Sequence, residues 1–433
     1  MKDLLSDAIQ IMQSSIERVL PNRAVCEALR NRSFPKGRLI VVSIGKAAWE
    51  MARAAEETIG TRIDRGIVIT KYGHCKAKLA CFEQYEAGHP VPDENGVRAA
   101  ERALELVKKL NAEDTVLLLL SGGGSALFEK PLLPLSELED ITRQLLASGA
   151  DISEINTIRK RFSAVKGGRF ALACMPAKVE TLILSDVLGD DPGAIASGPA
   201  YPDHSTAQQA LQIADRYGLR LTDAAKRLLH QETPKELSNV VSVNRIGSIR
   251  QLCETAKNTC ISLGYETKIL TEELTDEARE AGVWLANIAK AHALDGKRLA
   301  FLAGGETVVH LHGTGKGGRN QELALAAALE IETLPNVCIF SFGSDGTDGP
   351  TDAAGGIVTG KTAEAIRRKG YDPKAMLENN DAYHALQAAD ALLMTGPTGT
   401  NVNDLAVVLI DSDTCIECGN CVEVCPVGAP VQE

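Results

Sequence analysis

Charge and glycine meet at four strand-to-helix turns of this 433-residue chain. In α/β sheets ligands bind beyond the carboxyl ends of strands, so these turns are where chemistry is expected. The first is Ser43-Ile44-Gly45-Lys46. A helix N-terminus favours an anion and the lysine adds a movable point charge; a stem that merely packs on the surface is the bland alternative. The second, Ser121-Gly122-Gly123-Gly124-Ser125, follows the run T-V-L-L-L-L. Consecutive glycines let backbone N–H groups approach a ligand and the serines add donors, which suits an anion cradle better than a linker. The third is Ser185-Asp186-Val187-Leu188-Gly189-Asp190-Asp191. Carboxylates at a strand end suit Mg²⁺, which bridges phosphate oxygens. Asp190-Asp191-Pro192-Gly193 also reads as a simple turn, so Asp186 is the stronger ligand and Asp190 the weaker.

The fourth turn opens with Gly304-Gly305-Glu306-Thr307 and continues, after V-V-H-L-H, into Gly313-Thr314-Gly315-Lys316-Gly317-Gly318-Arg319-Asn320. Residues 313–318 satisfy G-x-G-x-x-G, so dinucleotide binding has to be weighed. Against it, the loop carries Lys316 and Arg319, and the downstream acid, Asp345, lies 27 residues past Gly318 rather than about 20. Two cations suit a transferring phosphoryl group, where an arginine fork is worth about 10³–10⁵ in rate. Gly355 to Thr362 matches the P-loop pattern letter for letter, but a polar turn run precedes it where a strand is required. Asp345, Asp348 and Asp352 form either an acidic turn or a second carboxylate cluster. The eight histidines offer no H-x-x-x-H pair; His310 and His312 read as peripheral and His89 as a turn residue. At the end of the chain, Cys415, Cys418, Cys421 and Cys425, followed by Pro426, have the spacing of a bacterial ferredoxin run that wraps a [4Fe–4S] cube. The second run of a two-cluster ferredoxin is missing, and zinc or a non-functional fused fragment are the other readings.

The elements that must position these turns are legible as apolar runs. An opening helix runs from Leu4 to Leu20 and is stopped by Pro21. Strands are expected at 38–45, 67–70, 116–120 and 181–184, then near 240–244, 267–271, 299–303, 307–312, 337–342, 391–395 and 405–410, with helices between. Continuous apolar strands alternating with helices predict mostly parallel sheets covered on both faces. The fold class is therefore α/β. Polar Gln231 to Asn239 is the expected hinge, giving domains 1–235 and 236–410 and a cysteine-rich tail at 411–433. A net charge of −11 excludes a broad nucleic-acid or anionic-membrane surface. Asp3 and Asp7 interrupt any signal peptide and no run spans a membrane, so a cytoplasmic protein is expected. Eleven cysteines in such a chain predict free thiols rather than a disulfide framework.

Taken together, V-S-I-G-K-A-A-W, E-A-G-H-P-V-P-D-E-N, L-L-S-G-G-G-S-A-L, N-T-I-R-K, L-S-D-V-L-G-D, I-A-S-G-P, G-G-R-N-Q-E-L-A-L, D-G-T-D-G-P-T-D-A-A-G and T-G-P-T-G-T-N-V-N-D-L closely resemble the type II glycerate kinases, the glycerate 2-kinase family. The resemblance runs from about residue 5 to about residue 410 and does not include the tail. It implies ATP- and Mg²⁺-dependent phosphorylation of D-glycerate on its 2-hydroxyl, giving 2-phosphoglycerate and ADP. It also implies a Rossmann-like N-terminal domain, a second α/β domain and an active site in the cleft between them. The family's functional lysine, arginine and acid match Lys46, Arg319 and Asp186. The expected binding residues are Gly45, Ser121, Gly122, Gly123, Gly124, Ser125, Glu306, Lys316, Gly318 and Asn320. Some relatives are named hydroxypyruvate reductases, so an NAD(P)H-dependent reductase is the rival reading. The partner is a small molecule, and the assembly is left open between a monomer and a homodimer.

Overall fold

The computed structural model describes residues 4–34, 36–185 and 193–412. These form two compact units. One comprises Arg18–Ser248 with Gly399–Val402; the other comprises Ile249–Thr398, the opening helix and the last strand.

The first unit is built on six strands: β1 (Leu39–Ile44), β2 (Arg65–Lys71), β3 (Phe82–Ala87), β4 (Thr115–Leu120), β5 (Lys178–Leu184) and β6 (Val240–Gly247). Their order is β3-β2-β1-β4-β5-β6 and every pairing is parallel. The chain leaves β1 toward β2 and comes back past it to β4, so the order reverses between β1 and β4. A crevice is left at such a reversal, beyond the carboxyl ends of the two strands. Both strands are buried along their whole length, as their runs L-I-V-V-S-I and T-V-L-L-L-L require. The helices Ala48–Ile59 and Glu94–Val107 lie close in sequence to the turns that matter. Asp93 caps the second of these, its carboxylate accepting the Gly96 amide at 2.9 Å.

The second unit carries β7 (Glu266–Leu274), β8 (Arg298–Gly305), β9 (Val337–Gly343), β10 (Gly355–Thr359), β11 (Leu392–Leu393) and β12 (Asp404–Asp411). Their order is β11-β10-β9-β12-β8-β7, and only β7–β8 is parallel. Here the expectation of a mostly parallel sheet is corrected. A strand covered on both faces reads as a continuous apolar run whichever way it points, so β12 (D-L-A-V-V-L-I-D, buried throughout) concealed its antiparallel direction.

Further differences have physical reasons. β6 pairs with β5 in the first sheet, so the boundary falls after Ser248 rather than at 235. The opening helix Leu4–Arg18 packs with the second unit, where Ser14 Oγ meets Thr259 Oγ1 at 2.9 Å. Residues 307–312 form no strand: Val308 makes a single bridge to Glu277. β3 escaped notice because F-E-Q-Y-E-A is a polar edge strand. The P-loop look-alike is β10 itself followed by a turn at Gly360 and Lys361 and the helix Thr362–Arg368, so its first five residues are strand where a phosphate loop is required.

Arg298 fastens the second unit. Its guanidinium pairs with Asp7 at 2.8 Å and Asp411 at 3.2 Å and lies 4.1 Å from the Tyr265 ring centroid, while Tyr265 donates to Asp7 at 2.8 Å. It thus joins the opening helix, β8 and the end of β12. Arg298→Ala leaves two mostly buried carboxylates unpaired and is expected to destabilise this unit by about 3 kcal/mol. A urea midpoint unchanged from wild type would contradict that role.

Candidate functional site

At the carboxyl ends of β1 and β4 two turns interlock. Gly45 has φ 121°, and a Cβ on it would lie 2.2 Å from Ser121 Oγ and 2.4 Å from Ser121 O, so no other residue fits. The Lys46 amide donates to Gly122 O at 2.9 Å and the Ala47 amide to Ser121 Oγ at 3.1 Å. The Ser121 hydroxyl in turn donates to Ile44 O at 3.3 Å. Ser121, expected to bind a ligand, is fully buried and its hydroxyl is spent on this clamp. What the clamp presents is backbone. Among the described residues the amides of Gly122, Gly123, Gly124 and Ser125 make no internal hydrogen bond.

Lys46 is half-buried, and its ammonium has no ion-pair partner among the described residues. Its stem and the His89 ring both press on Gly123. A Cβ there would lie 3.0 Å from His89 Nε2 and 3.2 Å from Lys46 Cγ, and φ is 82°. Ser125 Oγ lies 2.9 Å from Ser197 Oγ, which donates to Asn156 Oδ1 at 2.9 Å. A hydroxyl has one proton, so Ser125 donates to Ser197 and its oxygen is left as an acceptor. Arg159 donates to Ser125 O at 2.9 Å. The Ser197 turn is strained: Ala196 and Ser197 have φ of 50° and 57°, unfavourable without glycine and typical of functional turns.

The second unit supplies a different chemistry. Arg319 begins the helix Arg319–Glu330, next to Gly318. Its fork is held by Asp404, the first residue of β12, at 2.5 and 3.0 Å, and Glu306 Oε1 lies 3.0 Å from its remaining nitrogen. Burial opposes the guanidinium charge, but Asp404 and Glu306 more than restore it. Burial likewise pushes the Asp404 carboxyl up, against the arginine's pull. Asp348 caps the same helix, accepting the Asn320 amide at 3.2 Å and the Gln321 amide at 2.9 Å. A Cβ on Gly318 would come within 2.3 Å of Asp348, so the cap requires glycine.

Other expected binding groups are committed internally. Asn320 is buried, donating to Asp348 and accepting from Ser341 Oγ at 2.5 Å. Lys316 Nζ lies 4.2 Å over the Tyr383 ring, whose hydroxyl donates to Asp352 at 2.8 Å. The G-x-G-x-x-G loop also lacks a preceding strand. Its Gly313, Thr314, Gly315 and Lys316 amides are already taken by Asn380, Asn379 and Asp381, so they cannot cradle a pyrophosphate. Asp345 accepts the Thr347 amide at 3.0 Å, so the three acids have separate internal tasks rather than forming a cluster. His310, exposed, meets Glu277 at 3.0 Å. No group of three or more His, Cys, Asp or Glu able to hold a metal occurs among the described residues. Asp186, Asp190 and the cysteines Cys415, Cys418, Cys421 and Cys425 lie outside them.

Reading the sequence overlooked His89, Asp404, Asn156, Arg159 and Ser197. All lie within the motifs quoted above, but none follows directly on an apolar strand, which was the signal used.

The profile of a domain of unknown function (DUF4147) matches residues 7–230, and that of the MOFRL family matches residues 299–404. A relative from Thermotoga maritima named D-glycerate 2-kinase is 53% identical, covering 93% of this chain and 97% of that protein. The chain belongs to the glycerate 2-kinase family. A solved glycerate kinase from Thermotoga maritima superposes with a TM-score of 0.90 at 53% identity, covering 94% of this chain and 99% of that one. An Agrobacterium vitis relative bearing a hydroxypyruvate reductase name is 40% identical, covering 93% of each chain. The family's two profiles end before the tail, where a 4Fe-4S binding domain profile matches residues 408–431.

Burial pushes the Asp348 carboxyl up to about 7, outweighing the amides and Arg319 that favour its charge. Between its ordinary value near 3.8 and about 7 the folded chain therefore holds a proton that the unfolded chain has released. Its stabilising share is full at acid pH and is lost as pH rises through about 7. Asp348→Asn is expected to flatten that fall, read as the wild-type-minus-variant urea midpoint at pH 5 and pH 8.

Proposed function

We propose that this chain transfers the γ-phosphoryl group of ATP to the 2-hydroxyl of D-glycerate, giving 2-phosphoglycerate and ADP. The observation that carries the reading is Lys46, which among the described residues has no counter-charge and stands beside four amides without acceptors. Such a site is incomplete without an anion. Phosphoryl transfer asks for positioning and charge stabilisation rather than an exotic nucleophile. Lys46 and Arg319 are assigned to the γ-phosphoryl group, Arg319 because Asp404 fixes its fork before substrate arrives. The Ser125 oxygen, an acceptor, suits a hydroxyl of glycerate better than a phosphate.

Mg²⁺ would bridge phosphate oxygens and neutralise their charge. Glu306 and Asp404 are occupied by Arg319, which leaves Asp186, with Asp190, as the assigned protein ligands. A Rossmann-like first unit is consistent with its strand order. The seven cysteines of the described residues are free and no described helix is long and apolar enough to cross a membrane, which fits a cytoplasmic location. The reductase reading is disfavoured because the first four amides of the dinucleotide-like loop, Gly313 to Lys316, are already bonded to Asn380, Asn379 and Asp381.

With D-glycerate and ATP·Mg²⁺ the protein should form ADP and a product identified by ³¹P NMR as 2-phosphoglycerate. Lys46→Ala and Arg319→Ala should each lower turnover by about 10³ or more while the fold persists. Oxidation of NAD(P)H by hydroxypyruvate without ADP formation would reverse the assignment.

For the tail we assign a [4Fe–4S] cluster to Cys415, Cys418, Cys421 and Cys425, on their spacing. Phosphoryl transfer moves no electrons, so the cluster has no part in that step. Protein purified anaerobically should contain iron and acid-labile sulfide in equal amounts. Zinc with no sulfide would exclude the cluster.

A further inference from the structure

The sequence pattern reads His89 as a turn residue; in the structure its ring stands beside the glycine turn of the first unit's site. It follows β3 and reaches across to the glycine turn after β4, where its ring edge meets Gly123. The Lys46 stem meets the same glycine. The imidazole is half-buried, and neither ring nitrogen has a hydrogen-bond partner among the described residues. A half-buried imidazole with both nitrogens uncommitted can exchange a proton with a ligand seated at the turn. The neighbouring His74 differs in being tethered: its Nδ1–H donates to Lys46 O at 2.9 Å, which leaves its lone pair on Nε2.

We propose that His89 takes the proton from the glycerate hydroxyl as that oxygen attacks the γ-phosphorus of ATP. This rests on the kinase reading above and deepens it. In the step, the hydroxyl O–H bond breaks and its proton passes to an imidazole nitrogen. The freed oxygen forms the new P–O bond, and the bond from the γ-phosphorus to its bridging oxygen breaks, its electron pair leaving with ADP. The imidazolium then returns its proton to water.

The surroundings favour a neutral imidazole. Burial lowers the His89 pKa first, and the positive charge of Lys46, then Lys71 and His74, lowers it further. Among the described residues, these three are the charged or titratable groups that His89 feels, from the turn after β1, the end of β2 and the loop beyond it. An imidazole held below its ordinary value near 6.5 is an acceptor at neutral pH and loses that capacity as pH falls.

The test compares wild type, His89→Gln and Asp186→Asn in steady-state ADP formation with D-glycerate and ATP·Mg²⁺ from pH 5 to pH 9. Wild-type kcat/KM for glycerate should fall on the acid side with unit slope. His89→Gln should lower kcat by about 10²–10⁴, keep the glycerate KM within a few-fold, and lose the acid limb. Its melting temperature should match wild type, and His89→Asn serves as a second variant if it does not. A His89→Gln enzyme with turnover within threefold of wild type, or with its acid limb in place, overturns the proposal. So does an acid limb that vanishes in Asp186→Asn but survives in His89→Gln, which would move the proton to the aspartate. Wild type that makes no ADP from glycerate would instead overturn the kinase reading, and the proposal with it.

Discussion

Two backbone turns share one small volume at the ends of β1 and β4, and the rest of the first unit's site follows from that contact. Gly45 and Ser121 approach too closely for any side chain at position 45. The hydrogen bonds between the turns consume the Ser121 hydroxyl and the Gly122 carbonyl. The amides of Gly122 to Ser125 are left without an internal acceptor among the described residues. The glycines at 122–124 do not supply flexibility, because their conformation is set by close packing: Gly124 has Ala196 against it and Gly123 has His89 and Lys46. A rigid cradle orders nothing when a ligand arrives, so little of the binding energy is lost to entropy.

The two units manage charge in opposite ways. In the first, Lys46 is left uncompensated among the described residues beside backbone donors, and an anion is the natural complement. In the second, Arg319 is surrounded by Asp404, Glu306 and the more distant charge of Asp348, so it is a fixed fork and not a surplus of positive potential. Desolvation raises the cost of leaving either Asp404 or Arg319 alone, and this mutual dependence fixes the orientation of the guanidinium. An arginine aimed in advance loses less freedom on meeting a planar group of oxygens than a lysine on its flexible stem.

Motif matches fared unevenly, for reasons of backbone geometry. Gly313 to Gly318 and Gly355 to Thr362 fit well-known nucleotide patterns letter for letter. The first is a loop whose amides from Gly313 to Lys316 already serve Asn379, Asn380 and Asp381, and the second is mostly the strand Gly355–Thr359. The plain run Ser121 to Ser125 matches no such pattern and yet keeps its amides unbonded. A phosphate loop is defined by free donors, and a pattern of letters does not record which donors are free.

What the sequence determined by itself was local or periodic: the apolar runs that became β1, β4, β5, β8, β9 and β12, the α/β class, and the placing of glycine and charge at strand ends. Burial imposes those patterns residue by residue, so they are visible without coordinates. Tertiary structure alone decided the direction of the buried strands in the second sheet, the capture of β6 by the first, and the fate of each donor in the turns. It also brought His89 against Lys46 and set Asp404 under Arg319, residues 43 and 85 positions apart. Pairings across such distances cost chain entropy that only a complete core repays, and no local pattern reveals them in advance.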